Sequence, residues 1–496
     1  MTKTNSKKAL LSSAFALVLS AAMLIGTTFA WFTDTASTGV NKIVSGNLKV
    51  DIIGENSDSH IEKLNFKKTA ATDAEAGAAI LWEPGCRYLT EGFRIANKGN
   101  LALKWKAQVN MNNIINGKVE GSTIAKDGKS LLDVIDFYVV TSTDKNAEAV
   151  AIENFVGNLT AGAKSGVYYI KGVMQTTAGN DYQGLTLDGI TITVVATQDT
   201  VENDSFNNQY DKDAEYPILV TTGDELQAIV SNATAPVNIV LANSITTNNF
   251  VIPADKDVTL DLNGRTVTNA GSHTILNKGH LTLTDSSTDK SGQIISLKGN
   301  TAALRNGDNA VCVVEGGTIS RDGANGNTWH VVENFGKMTF NGGKVVLKNG
   351  NGFAITNGWN YFDPGASTTH AVMEINALEL DTDSSGIKNC RYGDLTVNDA
   401  TVTSTGYWAL SNDYLGTAVI NGGTLTSNSF KAVSNGAAMT VNGGTFDGTE
   451  GLFVQSYATS TVLNGGTFTN MNVDALSSYV GTGHTAQQSG TSVIIK

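Results

Sequence analysis

The chain is poor in charge, proline, cysteine and histidine, and each shortage removes a class of protein from consideration. Charged residues make up only 16% of its 496 residues, well below the usual quarter. Proline occurs five times while glycine occurs 52 times, a balance that favours short strands joined by tight turns. Three cysteines, Cys86, Cys312 and Cys390, are too few and too unevenly placed for a disulfide framework, so buried free thiols are expected. The six histidines are dispersed, no His-Glu-x-x-His occurs, and His60 is the only histidine before residue 205. That excludes the helical zinc site of a metallopeptidase.

What charge there is runs acidic. The formal net charge is −12, and residues 1–30 contribute three lysines and no acid, so the remainder is more negative still. Such a surface repels phosphate backbones, and nucleic acid is not expected as a partner. Hydrophobic residues at 41% are enough for a large core, and the length allows two or three domains.

Only one run is apolar enough to concern a membrane. Lys3, Lys7 and Lys8 precede the uncharged stretch Ala9 to Ile25, and Thr28-Phe-Ala30 follows with small residues at the −3 and −1 positions. This is the three-part layout of a secretory signal, with cleavage expected between Ala30 and Trp31. The other reading is an uncleaved anchor, for which seventeen residues is short against a hydrocarbon core of about 30 Å. The C-terminus, Thr491-Ser-Val-Ile-Ile-Lys496, has neither an LPxTG-type motif nor an apolar tail. Secretion to a cell surface or extracellular matrix is the expectation.

From Trp31 to about residue 205 the pattern is alternating strands. Ile190, Ile192 and Val194 stand at period two around Thr191 and Thr193, and Val134–Val140 and Val167–Val173 are also β-rich. An antiparallel sandwich or jelly roll follows.

Several motifs here resemble TasA/camelysin-type exported proteins. Gly26-Thr-Thr-Phe-Ala-Trp-Phe-Thr-Asp34 and Ile43-Val-Ser-Gly-Asn-Leu-Lys-Val50 are similar to that family's start. Trp82-Glu-Pro-Gly85 and Phe93-Arg-Ile-Ala-Asn-Lys-Gly-Asn-Leu-Ala-Leu-Lys104 resemble its Pro-Gly turn and Asn-x-Gly-x-Leu hairpin, and Tyr182-Gln-Gly184 and Ala196-Thr-Gln198 are similar too. The resemblance implies a jelly roll, a Gram-positive source and processing by a dedicated signal peptidase. It also implies fibres in which the freed segment Trp31, Phe32, Thr33 and Asp34 completes the sheet of another copy or a related subunit. An open sheet edge gives that step its physics, although the segment pairing within its own domain is an equal alternative. The peptidase activity ascribed to some camelysin relatives is not carried over.

Residues 206–220 read as a polar linker, and Thr222–Ser231 as a short amphipathic helix with Leu226, Ile229 and Val230 on one side, placed to cap a solenoid. Residues 221–496 then repeat. One motif is an apolar strand ending in Asn-Gly-Gly or a relative, at 263, 285, 315, 341, 376, 398, 421, 442 and 464. A second ends in Asn277, Asn306, Asn334, Asn357, Asn389, Asn412 and Asn435, with Ser456 as its last member, an aliphatic residue two positions earlier and usually a polar one between. About 22 residues per turn with such columns matches a right-handed parallel β-helix of the pectate-lyase-like kind. The asparagines are expected to form a ladder of side-chain amides. The fold class is therefore all-β throughout, apart from the capping helix.

No column of acids emerges. Glu333 above Arg305 reads as an exposed ion pair, and Asp381-Thr-Asp-Ser-Ser-Gly386 opens like a calcium loop but has Tyr392 at the twelfth position. No catalytic residue, metal ligand or cofactor is assigned. An insertion after Asn357 carries aromatics, so Trp359 and Tyr361 are candidates for contact with extracellular polysaccharide, together with Tyr407 or Trp408 from a later turn; the alternative is that the loop folds its aromatics over the flank. A structural or adhesive matrix protein is thus expected, with a secreted polysaccharide lyase or glycoside hydrolase as the alternative.

Overall fold

A computed structural model describes residues 47–199 and 216–496, apart from 62–63, 68–79, 112–113, 116–117, 120–128, 145–146, 187–189, 324–328, 351 and 360–369. The signal segment, the Ala30–Trp31 junction, the strand Trp31–Asp34, most of the linker and Tyr361 lie outside the described residues.

The N-terminal unit consists of antiparallel strands. Leu103–Met111 lies between Val156–Leu159 and Ile190–Gln198. Tyr169–Met174 lies between Arg87–Thr90 and Ile135–Val140. Val50–Gly54 pairs with Phe93–Asn97. Alternation does what period two requires: Phe93, Ile95, Leu103, Trp105 and Ile170 are buried in one core, with Trp105 edge-on to Phe155 at 4.7 Å. The Trp82-Glu-Pro-Gly85 turn has Gly85 at φ +84°, and the Trp82 ring lies over Gly172, where an added Cβ would come within 2.5 Å of it.

One expected element is different. The Asn97–Leu101 segment is not a hairpin, because the strands on its two sides belong to different sheets. The Asn97 side chain explains the arch: its amide donates to the carbonyls of Leu101, Leu159 and Thr160, at 2.7, 3.3 and 3.1 Å, while its oxygen accepts from the Gly99 N–H. One buried amide thus joins two sheets.

Residues 218–468 form a parallel β-solenoid of about ten turns. Each complete turn supplies one strand to each of three sheets, while the first and last turns supply none to the third. The first sheet runs from Ile218–Val220 to Ser460–Leu463, the second from Ile245–Thr247 to Gly466–Phe468, and the third from Val251–Ile252 to Leu452–Val454. Eleven rungs in the first sheet at 4.8 Å spacing give a rod about 48 Å long. Ile218–Val220, read from sequence as linker, is already the first rung, paired in parallel with Val237–Leu241. Its three apolar residues find a neighbouring strand, which a linker would not offer them.

Both ends are closed. The helix Gly223–Asn232 buries Leu226 and Val230 against the first turns, with Ile229 partly buried beside them. Thr222 caps it by accepting from the Glu225 N–H, and the Glu225 carboxylate reaches back to accept from the N–H and hydroxyl of Thr221, a variant of the capping box. Gln227 then lies along the first strand of the third sheet, donating to Val251 C=O and accepting from Val251 N–H at 3.0 and 2.8 Å. At the far end Ser492–Ile495 pairs antiparallel with both Gly466–Phe468 and Ala486–Ser489. The reversal of direction ends the parallel stack.

The two units touch. Val195 of the N-terminal unit is buried with Leu219 and Ala242 of the first rungs, and the Tyr216 ring lies under the ammonium groups of Lys104 and Lys106 at 5.4 and 5.2 Å.

Candidate functional site on the third flank of the solenoid

The third sheet and its two corners carry most of the solenoid's aromatic rings and the buried carboxylate of Glu333. Its backbone is held by the asparagine column. Asn277, Asn306, Asn334, Asn357, Asn389, Asn412 and Asn435 are all fully buried. Each Nδ2 donates to Oδ1 of the next asparagine at 2.7–2.9 Å. Each also donates to a backbone carbonyl of the following turn, such as Val311 or Thr417. A carbonyl can only accept, so these bonds fix which way every amide faces. The donors point toward the C-terminal end, and the ladder stops where Asn435 donates to Ser460 C=O and Thr461 Oγ1.

The last member differs from expectation. Val454, not Ser456, stands opposite Asn435, so Leu452 is the aliphatic partner and Phe453 the residue between. Above Asn435 there is a hydroxyl acceptor and no further amide, so an apolar residue fits the closing rung.

A second ladder runs along the corner between the first and second sheets. Asn376 donates to Asn341, Asn398 to Asn376, Asn421 to Asn398, Asn442 to Asn421 and Asn464 to Asn442, at 2.7–3.0 Å. It points the opposite way, toward the N-terminal end, where Asn341 donates to the Glu315 carboxylate at 2.8 Å. The repeated Asn-Gly-Gly spacing was the signal for it. The glycines of that motif make the corners, and the asparagines before them make the ladder.

Outward from the inner ladder, Arg305 and Glu333 occupy adjacent rungs. Their ion pair at 3.0 Å was expected to be exposed, yet the Glu333 side chain is only 5% exposed. The Trp329 indole N–H takes the other carboxylate oxygen at 3.1 Å, and the Arg305 guanidinium lies over the Phe335 ring. Packing by these aromatics removes the water that the column position alone would have left. His330 and His273 lie in the column beside it. His330 donates from Nδ1 to Phe353 C=O, and His273 accepts at Nδ1 from Ala302 N–H. Burial pushes both imidazoles below their ordinary range, with Glu333 acting in the opposite direction. Arg321, 1% exposed, donates to Ser296 Oγ and to the carbonyls of Thr301 and Lys298. Burial draws its pKa down to about 10.

The aromatic candidates fall apart in space. Trp359 is fixed by its backbone against Arg391, donating to its carbonyl at 3.0 Å, and its ring packs on Phe335 at 4.6 Å. Trp408 stands two rungs further on at the opposite corner, edge-on to Phe430 at 4.6 Å and stacked with Phe453 at 6.1 Å. Ser411 and Ser434, in the column between Lys388 and Phe453, are only 5% and 2% exposed. Tyr407, by contrast, is well exposed at 58%, as are Tyr414 and Tyr457 at 59% and 57%.

Among the described residues no group of His, Cys, Asp and Glu has the arrangement of a metal site. The Asp381 carboxylate is paired with Lys348 at 2.8 Å, and Asp383 accepts from the N–H groups of Asn349 and Gly350. Only Asp383 and Ser384 form a turn, between the strands Glu379–Thr382 and Ser385–Asn389, and the segment ties neighbouring rungs. Cys312 and Cys390 are buried thiols pushed up to about 12 by burial, while Cys86 is half-buried. No helix among the described residues is long and apolar enough to cross a membrane. No protein-family model matches the chain, and no characterised protein or solved structure is similar to it.

Proposed function

We propose that this chain is an exported, non-catalytic structural or adhesive protein of a Gram-positive cell surface or biofilm matrix. In this reading residues 31–205 are a TasA-like jelly roll, residues 1–30 are removed by a signal peptidase, and the right-handed solenoid projects as a rigid module that contacts extracellular polysaccharide. The observation that carries it is where the polar side chains go. Two amide ladders, a capping box and closed ends commit them to the coherence of the rod. Three ion pairs tie neighbouring rungs of the flank: Arg305 with Glu333, Lys388 with Asp413 and Lys431 with Glu450, each at 3.0 Å. Such a rod resists force and presents a surface; it does not pool unpaired acids and bases for chemistry.

Assembly through Trp31, Phe32, Thr33 and Asp34, with copies of this chain or related subunits, completes the reading. Secretion from a Gram-positive host should yield a mature chain beginning at Trp31, by mass spectrometry. That chain should form filaments under electron microscopy, and removing residues 31–34 should prevent them. Unprocessed chain, or filaments that persist without those residues, would overturn the assembly part.

One constellation favours a second reading, a secreted polysaccharide lyase or glycoside hydrolase. Glu333 lies buried near two histidines and two arginines, although Arg305 and Trp329 occupy its oxygens. Incubation with acidic polysaccharides, following ultraviolet absorbance and reducing ends, is expected to give no product. Cleavage that disappears in Glu333→Gln would establish the second reading instead.

A further inference from the structure

We infer that the second ladder carries three sites of spontaneous modification, Asn341, Asn421 and Asn442, whose side-chain amides convert with time to aspartate and isoaspartate. The inner ladder, built from the same residue type, is closed to this chemistry.

The reaction needs no partner beyond water. The backbone nitrogen of the following residue loses its proton to water or hydroxide and attacks the asparagine Cγ. The new N–Cγ bond closes a five-membered ring, the Cγ–Nδ2 bond breaks, and Nδ2 takes up a proton and leaves as ammonia. Water then opens the cyclic imide at either carbonyl, giving aspartate or isoaspartate. Glycine after the asparagine favours ring closure, because no Cβ hinders the approach.

The corner makes that dipeptide unavoidable. A Cβ at Gly342, Gly422 or Gly443 would come within 2.7 Å of the carbonyl oxygen of Glu315, Asn398 or Asn421, respectively, on the rung before. The second glycine of each motif, Gly343, Gly423 and Gly444, holds φ at +91°, +95° and +108°. Only glycine stacks at these places, so the rungs that extend the ladder also set a labile pair on the surface.

What separates the two ladders is the glycine N–H. In the inner ladder Asn306, Asn357 and Asn435 also precede glycine, but all three are fully buried. The N–H groups of Gly307, Gly358 and Gly436 donate to the carbonyls of Asn277, Asn334 and Asn412 at 2.8, 2.9 and 2.7 Å. A nitrogen so engaged cannot turn toward Cγ without breaking the stack. In the second ladder Asn341, Asn421 and Asn442 are exposed, and among the described residues the N–H groups of Gly342, Gly422 and Gly443 have no acceptor. Each of these amides donates one bond, to Glu315, Asn398 or Asn421, where Asn306 donates three. Asn464 closes the ladder, yet Gly465 is buried and Gly481 packs against the Asn464 side chain, so this site lags. Each conversion replaces a donor by a carboxylate, breaks one ladder bond and adds one negative charge. Water takes over a bond lost at the surface, so the rod keeps its fold while one corner grows more acidic with age.

The test holds the mature full-length protein folded in mildly alkaline buffer and maps its asparagine peptides by mass spectrometry at intervals, with isoaspartate counted by isoaspartate methyltransferase. Asn341, Asn421 and Asn442 should convert at least about tenfold faster than Asn306, Asn357 and Asn435, which must first open locally. In denatured protein all six should convert at similar rates, because the fold no longer distinguishes them. Isoelectric focusing of aged protein should show successive acidic forms. Most of these should be missing from Asn341→Gln/Asn421→Gln/Asn442→Gln, in which a larger ring slows closure. Equal conversion of the two ladders in the folded protein would overturn the inference. So would three unchanged sites in folded protein over a period in which denatured protein converts fully.

Discussion

Asn389 shows how much one side chain carries in a solenoid. Its amide donates to Gly393 C=O, Asn412 Oδ1 and Thr417 C=O at 2.8–3.0 Å, and its oxygen accepts from Asn357. Asn389→Ala leaves those partners buried and unsatisfied, so a loss of about 2–4 kcal/mol is expected in chemical denaturation. Asn464→Ala, at the end of the more exposed ladder, should cost less than about 1 kcal/mol, because water can replace what is lost. Thiol reactivity follows burial in the same way. In the native protein Cys86 should label with iodoacetamide while Cys312 and Cys390 stay unmodified, and all three should react once unfolded, as counted by intact mass. The ladder asparagines could be read from spacing because each turn repeats one environment. The burial of Glu333 could not, since it depends on where Trp329 and Phe335 lay their rings.

At the scale of elements, the ends of the stack decide what the repeats cannot. Gln227 stands in for a missing strand by bonding both backbone groups of Val251, and Gln227→Ala should cost about 1–2 kcal/mol in thermal or denaturant melts. The register of the third sheet also sets a pH dependence. His330 is buried and His273 half-buried, and burial holds both folded pKa values below that of the unfolded chain. Their contribution is therefore complete above about pH 6.5 and is lost as pH falls through the folded values. Melting temperature should decline below that point, and the decline should flatten in His273→Gln/His330→Gln. The helix cap was legible from its apolar spacing and from Thr222 three residues ahead of Glu225. The Asn97 arch was not, because a local turn motif does not say which sheet the next strand will join.

At the scale of the molecule, a rod of stacked rungs is a one-dimensional assembly whose terminal rungs need cover. Removing residues 472–496 would bare the last rungs, the strand edges and the apolar residues that Leu476, Val493 and Ile495 now cover. Light scattering of that truncated chain should show association where the full chain remains dispersed. Val195 of the N-terminal unit meets Leu219 and Ala242 of the first rungs, a small apolar contact between the two units.

Repetition, glycine corners, the lack of charge and the asparagine columns determined by themselves that residues beyond about 220 would stack as parallel turns. A period of about 22 residues with matched inward side chains leaves few other ways to bury them. The tertiary structure alone decided what breaks that period: Val454 in place of an amide on the closing rung, the second ladder running against the first, and which aromatic rings face water. Each depends on contacts between rungs or around corners, and neighbours along the chain do not encode which side chain will arrive there from the next turn.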